Sequence, residues 1–125
     1  MARACEFFAP TLRIVHPWTR ATAPGATSAV VCMSINEVTT TDRLIGVESP
    51  VATGAELAGE GAGPTIDLHL PKGQAFDFSE TGMHIRLVGL KEPLLLGRVY
   101  PLTLIFEKGG IVNADFEVDY EAHAA

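Results

Sequence analysis

The 125-residue sequence has no run long and apolar enough to cross a bilayer as a helix, which takes about 20 residues. Basic residues are scarce. Nine Lys and Arg against fifteen Asp and Glu give a formal charge of −6, which removes the electrostatic footprint of a nucleic-acid-binding protein and disfavours anionic lipid surfaces. Cysteine is limited to Cys5 and Cys32, and the absence of a C-x-x-C pair excludes thioredoxin-like and zinc-ribbon motifs. There is no H-E-x-x-H, phosphate loop or nucleophile elbow. Acidic residues are scattered, and Asp115 and Glu117 fall on a face that reads as solvent-exposed. No enzyme is therefore expected. No stretch reads as a capped amphipathic helix. Met1 to Pro10 contains neither a basic nor an apolar signal-peptide region, and Ala2-Arg3-Ala4 before Cys5 makes a poor lipobox.

What remains is short, repeated β signal. In Ile111 to Tyr120, Val112, Ala114, Phe116, Val118 and Tyr120 alternate with polar residues, the period of a half-buried strand. Leu102, Leu104 and Phe106 do the same within Tyr100 to Glu107. Lys108-Gly109-Gly110 joins the two stretches as a hairpin. Ser28 to Asn36 is apolar on both faces and reads as a central, covered strand. Further strands are expected at Thr11 to Val15, Trp18 to Thr22, Asp42 to Glu48, Thr65 to Leu70, Gln74 to Phe78 and His84 to Leu90. Turn residues separate them, notably Pro24-Gly25, Ser49-Pro50, Gly59 to Pro64 and Pro71 to Gly73. Such a pattern is all-β, a sandwich or barrel in a single domain, with an N-terminal segment 1–10, the domain at 11–120 and a tail at 121–125. Cys5 and Cys32 could form a disulfide or stay unrelated thiols, with Cys32 a small buried hydrophobe.

Several phrases in order resemble the PCu(A)C family of periplasmic copper chaperones. Pro17-Trp18-Thr19-Arg20-Ala21-Thr22 with Pro24-Gly25-Ala26 is similar to the family's opening signature. Asp42 to Val47 with Ser49-Pro50-Val51-Ala52, Gly82 to Leu90, and Pro101 to Leu104 with Phe106 are similar to later ones. The resemblance covers roughly Val15 to Val118. It implies a cupredoxin-like Greek-key β-sandwich, an extracytoplasmic or periplasmic location, Cu(I) as cargo, and a copper enzyme or copper-carrier protein as partner.

The resemblance also implies two His and two Met ligands, soft and borderline donors suited to Cu(I). The family's H-x-M pair falls on His84 and Arg86, and its other His falls on Ala58. The intervening Met has no counterpart between Gly59 and Asp67. His84 is thus the one retained ligand, and copper binding is expected to be weak, relocated or absent. Arg86 suits a carboxylate instead. Other candidate donors are Met83, which can join His84 only from within a turn, and His69, if its strand neighbours that of His84. Met33 reads as core, and His16, before Pro17-Trp18, as structural. Trp18 and Arg20 share one strand face and suggest packing or a cation–π contact, with Trp18 buried. A metal-free module that uses the His84 and Arg86 face to bind a protein or anionic partner is the alternative.

Overall fold

The computed structural model describes residues 5–123. Among these there is no helix. Ten strands follow in order: β1 (Glu6–Ala9), β2 (Leu12–Arg20), β3 (Ser28–Asn36), β4 (Asp42–Glu48), β5 (Ala52–Ala58), β6 (Leu68–Leu70), β7 (Phe76–Phe78), β8 (His84–Leu90), β9 (Val99–Phe106) and β10 (Gly110–Tyr120). They pair in the order β5-β8-β3-β2-β10-β9-β4-β6, with β1 added to β2 and β7 added to β3. The all-β, single-domain reading holds.

The hairpin of β9 and β10 closes at Phe106↔Gly110 and runs to Val99↔Glu117. Val112, Ala114, Phe116 and Val118 face the core, as do Leu102, Leu104 and Phe106, because alternate residues share a face. Tyr120 has the same parity but is 52% exposed, since it lies at the strand's end, beyond the core. Its ring meets the edge of Trp18 at 5.1 Å and carries the Arg20 guanidinium 5.3 Å from its centroid. The expected cation–π contact therefore runs to Tyr120, and Trp18 is half-buried rather than core.

β3 links the two parts of the curled sheet. Its first half, Ser28 to Val31, pairs with β8, and Met33 to Ile35 pairs with β7. The opposite edge of β3 pairs with β2, so the strand is central, as its apolar sequence requires. β2 turns a corner between Val15 and Trp18, where the register to β3 shifts. His16 takes a positive φ of 49° there, and Pro17 follows with no N–H to offer the ladder. The corner makes one strand of two expected segments. Its second half pairs in parallel with β10.

Two strands carried no sequence signal that marked them. β1 pairs with β2 from Glu6↔Val15 to Ala9↔Leu12, and β5 pairs with β8 from Ala52↔Leu90 to Ala58↔His84. β6 and β7 are shorter than expected, three residues each.

The core gathers Ile14, Ile35, Leu44, Ile85, Leu87, Leu102, Leu104 and Phe116, all essentially inaccessible. Each large side chain so buried contributes about 1.5–3 kcal/mol. One carboxylate is buried with them. Asp42, 2% exposed, accepts from Thr11 Oγ1 at 2.8 Å, Arg43 N at 2.7 Å, Lys108 N at 2.8 Å and Gly109 N at 2.9 Å. It ties the start of β4 to the β9–β10 turn. Burial pushes its pKa up, but these four donors outweigh that and hold it below the ordinary carboxylate value.

Candidate functional site

β8 and β5 position His84, the residue expected to be the retained ligand. His84 opens β8 directly opposite Ala58, the last residue of β5. It is 7% exposed. Its Nδ1 lies 3.0 Å from the carbonyl oxygen of Gly82. A carbonyl oxygen only accepts, so Nδ1 donates to it, and in the neutral imidazole Nε2 then carries the lone pair. That Nε2 is buried and has no hydrogen-bond partner. A ring held by a backbone carbonyl with its other nitrogen open is the arrangement of a metal-ligating histidine.

The backbone around this ring is tightly constrained. Gly59, next after Ala58, has φ of 94°, and a Cβ built on it would collide with the Gly82 carbonyl that holds His84. Both the left-handed conformation and the close approach require glycine here. The sequence marks Gly59 only as part of a flexible loop, so this support for His84 was not legible in it.

The companion donors are sparse. Ala58 offers none. Arg86 sits opposite Glu56 across the β8–β5 ladder and donates Nη1–H to Glu56 Oε1 at 3.1 Å. Its charge is thus answered within the chain. The two side chains are 42% and 31% exposed, which limits such a pair to about 1 kcal/mol or less. Met83 lies in the bend just before β8, as joining His84 would require. It packs half-buried on the core, beside the loop that follows β5, where its Cε comes within 3.9 Å of a Cβ placed on Gly61.

His69 does not join them through strand pairing. Its strand, β6, pairs with β4, opposite Arg43, whereas β8 pairs with β3 and β5. His69 is also exposed, while His84 is buried. Neither cysteine is in a disulfide. Cys5 Sγ donates to Glu117 Oε1 at 3.1 Å. Cys32 is buried on β3 opposite Trp18, and burial, with Glu80 nearby, pushes its thiol up to about 11, so it stays protonated at neutral pH.

Residues 12–118 match the family described as "Putative lipoprotein LpqE-like". No curated protein matches the chain. Among solved structures, the copper-bound PCuAC domain from PmoF2 is 30% identical, with 93% of this chain and 98% of that one covered at a TM-score of 0.84. The apo PCuAC domain from PmoF1 is 29% identical over 93% of this chain and 99% of that one, again at 0.84. The Cu(I) form of DR1885 from Deinococcus radiodurans, 24% identical over 94% of this chain and 81% of that one, shares the fold at 0.75.

Proposed function

The chain belongs to the LpqE-like family and has the PCuAC copper-chaperone fold, and from that premise we propose that it handles extracytoplasmic Cu(I) through a reduced site centred on His84 Nε2. The observation that carries this reading is the buried imidazole nitrogen with no hydrogen bond, in the tautomer that the Gly82 carbonyl sets. Met83, in the adjacent bend, is the nearest soft donor by sequence. Copper is cargo here, and the chemistry is coordination and release, without catalysis.

The donor set fits one strong ligand and not a full cage. A single imidazole, with at most one thioether, holds Cu(I) weakly beside the four-donor set implied by the family. Alanine at position 58 and arginine at 86 subtract two donors, and the Arg86 cation is tolerable only because Glu56 pairs with it. Weak holding favours downhill transfer to a copper enzyme or carrier with a complete site.

A second reading rests on the same Glu56–Arg86 pair. Because it is half-exposed, Arg86 can exchange its partner for a carboxylate on another protein, and the module then acts without metal. Titration with Cu(I) against a competing chelator separates the two. The copper reading predicts weak 1:1 binding that is lost in His84→Ala. Binding no stronger in the wild type than in that variant would leave the metal-free reading.

A further inference from the structure

One other buried imidazole nitrogen among the described residues lacks a hydrogen bond, Nδ1 of His16. It sits at the corner of β2, two strands from β8 in the sheet order. There the positive φ of His16 turns the side chain out of the strand's alternation, toward β10. His16 Nε2 is 2.7 Å from Asp119 Oδ2, and Nδ1 is 3.8 Å from Glu117 Oε2. Glu117 and Asp119 flank Val118 on β10, at a register shift between Val118 and Tyr120, and both carboxylates reach the His16 ring. One ligand atom from each of the three side chains lies within 4.8 Å of the others. Cys5 borders this triad at Glu117, its Sγ 3.1 Å from Glu117 Oε1, and its carbonyl oxygen accepts from His16 N at 2.6 Å. The side chains of His16, Glu117 and Asp119 are 27%, 22% and 21% exposed, so they are neither a solvated surface patch nor sealed from entry.

We propose that this corner is a second metal site, for a borderline divalent cation of the zinc type, held by His16 Nδ1, the Glu117 carboxylate and the Cys5 thiolate. Nitrogen, carboxylate oxygen and sulfur together are a zinc donor set. Asp119 is a positioning residue. By accepting from Nε2–H it fixes the tautomer that leaves Nδ1 open, the carboxylate–histidine–metal relay of many such sites. The Nδ1–Glu117 separation of 3.8 Å needs to contract by only a few tenths of an ångström to meet a tetrahedral ion, whose ligands lie about 3.4 Å apart at metal–ligand distances near 2.1 Å. Nδ1 is already unprotonated in the tautomer that Asp119 sets, so the cation replaces one proton, that of the Cys5 thiol. It also clamps the chain just before β1 to β2 and β10, so binding raises stability by mass action.

The test is titration of the full chain with Zn2+ against a competing chelator, with Co2+ as a spectroscopic substitute. The wild type is expected to bind one ion, with a sulfur-to-cobalt charge-transfer band and a raised Tm. His16→Asn, chosen because Asn accepts a positive φ, and Glu117→Gln should each abolish stoichiometric binding. Cys5→Ser should remove the charge-transfer band. Asp119→Asn should weaken binding about 10- to 100-fold. His84→Ala should change none of these, which separates this site from the copper reading. No stoichiometric Zn2+ binding, binding that survives both His16→Asn and Glu117→Gln, or a cobalt spectrum without sulfur character would overturn the site as drawn. Glu117→Gln keeps the test decisive should the corner fail to form in His16→Asn.

Discussion

His84 and His16 are alike in one respect and opposite in another. Each ring has one nitrogen held by an oxygen and the other buried with no bond. Around His84 stand Ala58 and an arginine already paired to Glu56. Around His16 stand two carboxylates and a thiol. An open imidazole nitrogen marks the capacity to ligate, but the neighbours decide which ion it takes and how firmly. On the proposed reading, the β5–β8 end, with Met83 as its one nearby soft donor, would hold a monovalent ion weakly, and the β2 corner, with two carboxylates, would take a divalent one.

A buried polar group with its hydrogen bonds filled sharpens that contrast. Asp42→Ala would leave Thr11 Oγ1 and the N–H groups of Lys108 and Gly109 without their acceptor. A loss of about 3 kcal/mol or more is expected in urea unfolding. His84→Ala, which forfeits one hydrogen bond and leaves Nε2 unmissed, should lose clearly less. Equal losses would show that Nε2 has a stabilising partner.

Restoring donors is the next largest effect. Ala58 lies directly across from His84, where opposed Cβ atoms are about 4.5–5.5 Å apart, so Ala58→His with Arg86→Met gives His84 both an imidazole and a thioether. Cu(I) affinity should rise by about 100-fold, or about 2.7 kcal/mol. An unchanged competition titration would break the account of the reduced site. Gly59→Ala attacks the support instead. With φ of 94° and the Gly82 carbonyl in the way, it should cost about 1–3 kcal/mol and weaken Cu(I) binding, while Zn2+ binding at the β2 corner stays as it was.

Acid gives a smaller, graded effect. The Asp42 carboxyl is held below its ordinary value by its four donors, against burial. The Arg20 guanidinium, bonded through Nε and Nη2, likewise holds Glu80 down. A depressed carboxylate contributes stability that is complete above the unfolded pKa, about 4, and disappears as pH falls through the folded value. Thermal unfolding should therefore change little from pH 7 to 5 and drop below about pH 4, with a shallower drop in Asp42→Ala. The smallest change is expected for Glu56→Gln, under about 1 kcal/mol, because its pair with Arg86 is half-exposed.

Much of the fold was legible because one face of each long strand had to be buried. β4 and β8 fall at the positions their patterns gave, and the β9–β10 hairpin lies within a residue of its expected bounds. β1 and β5 were not legible. β1 is four residues held by pairing with β2, and β5, with Ala, Gly and Glu in its middle, lacks the β-branched alternation that marks a strand. At the site, the identity of residues 58, 84 and 86 could be read in line, but the proton on Nδ1 of His84 depends on a carbonyl brought round by a bend. The corner escaped notice for a similar reason. The alternation of β10 placed Glu117 on a solvent face, and only the turn of β2 at His16 brings that face against an imidazole and a thiol.

The central claim is that two open imidazole nitrogens select different metals, and nitrogen-15 spectra of the histidine side chains in the full chain test it most directly. The account predicts that Cu(I) moves the Nε2 resonance of His84 and leaves His16 in place, while Zn2+ moves Nδ1 of His16 and leaves His84 in place. Cu(I) that leaves His84 unmoved, or a single metal that shifts both rings equally, would contradict it.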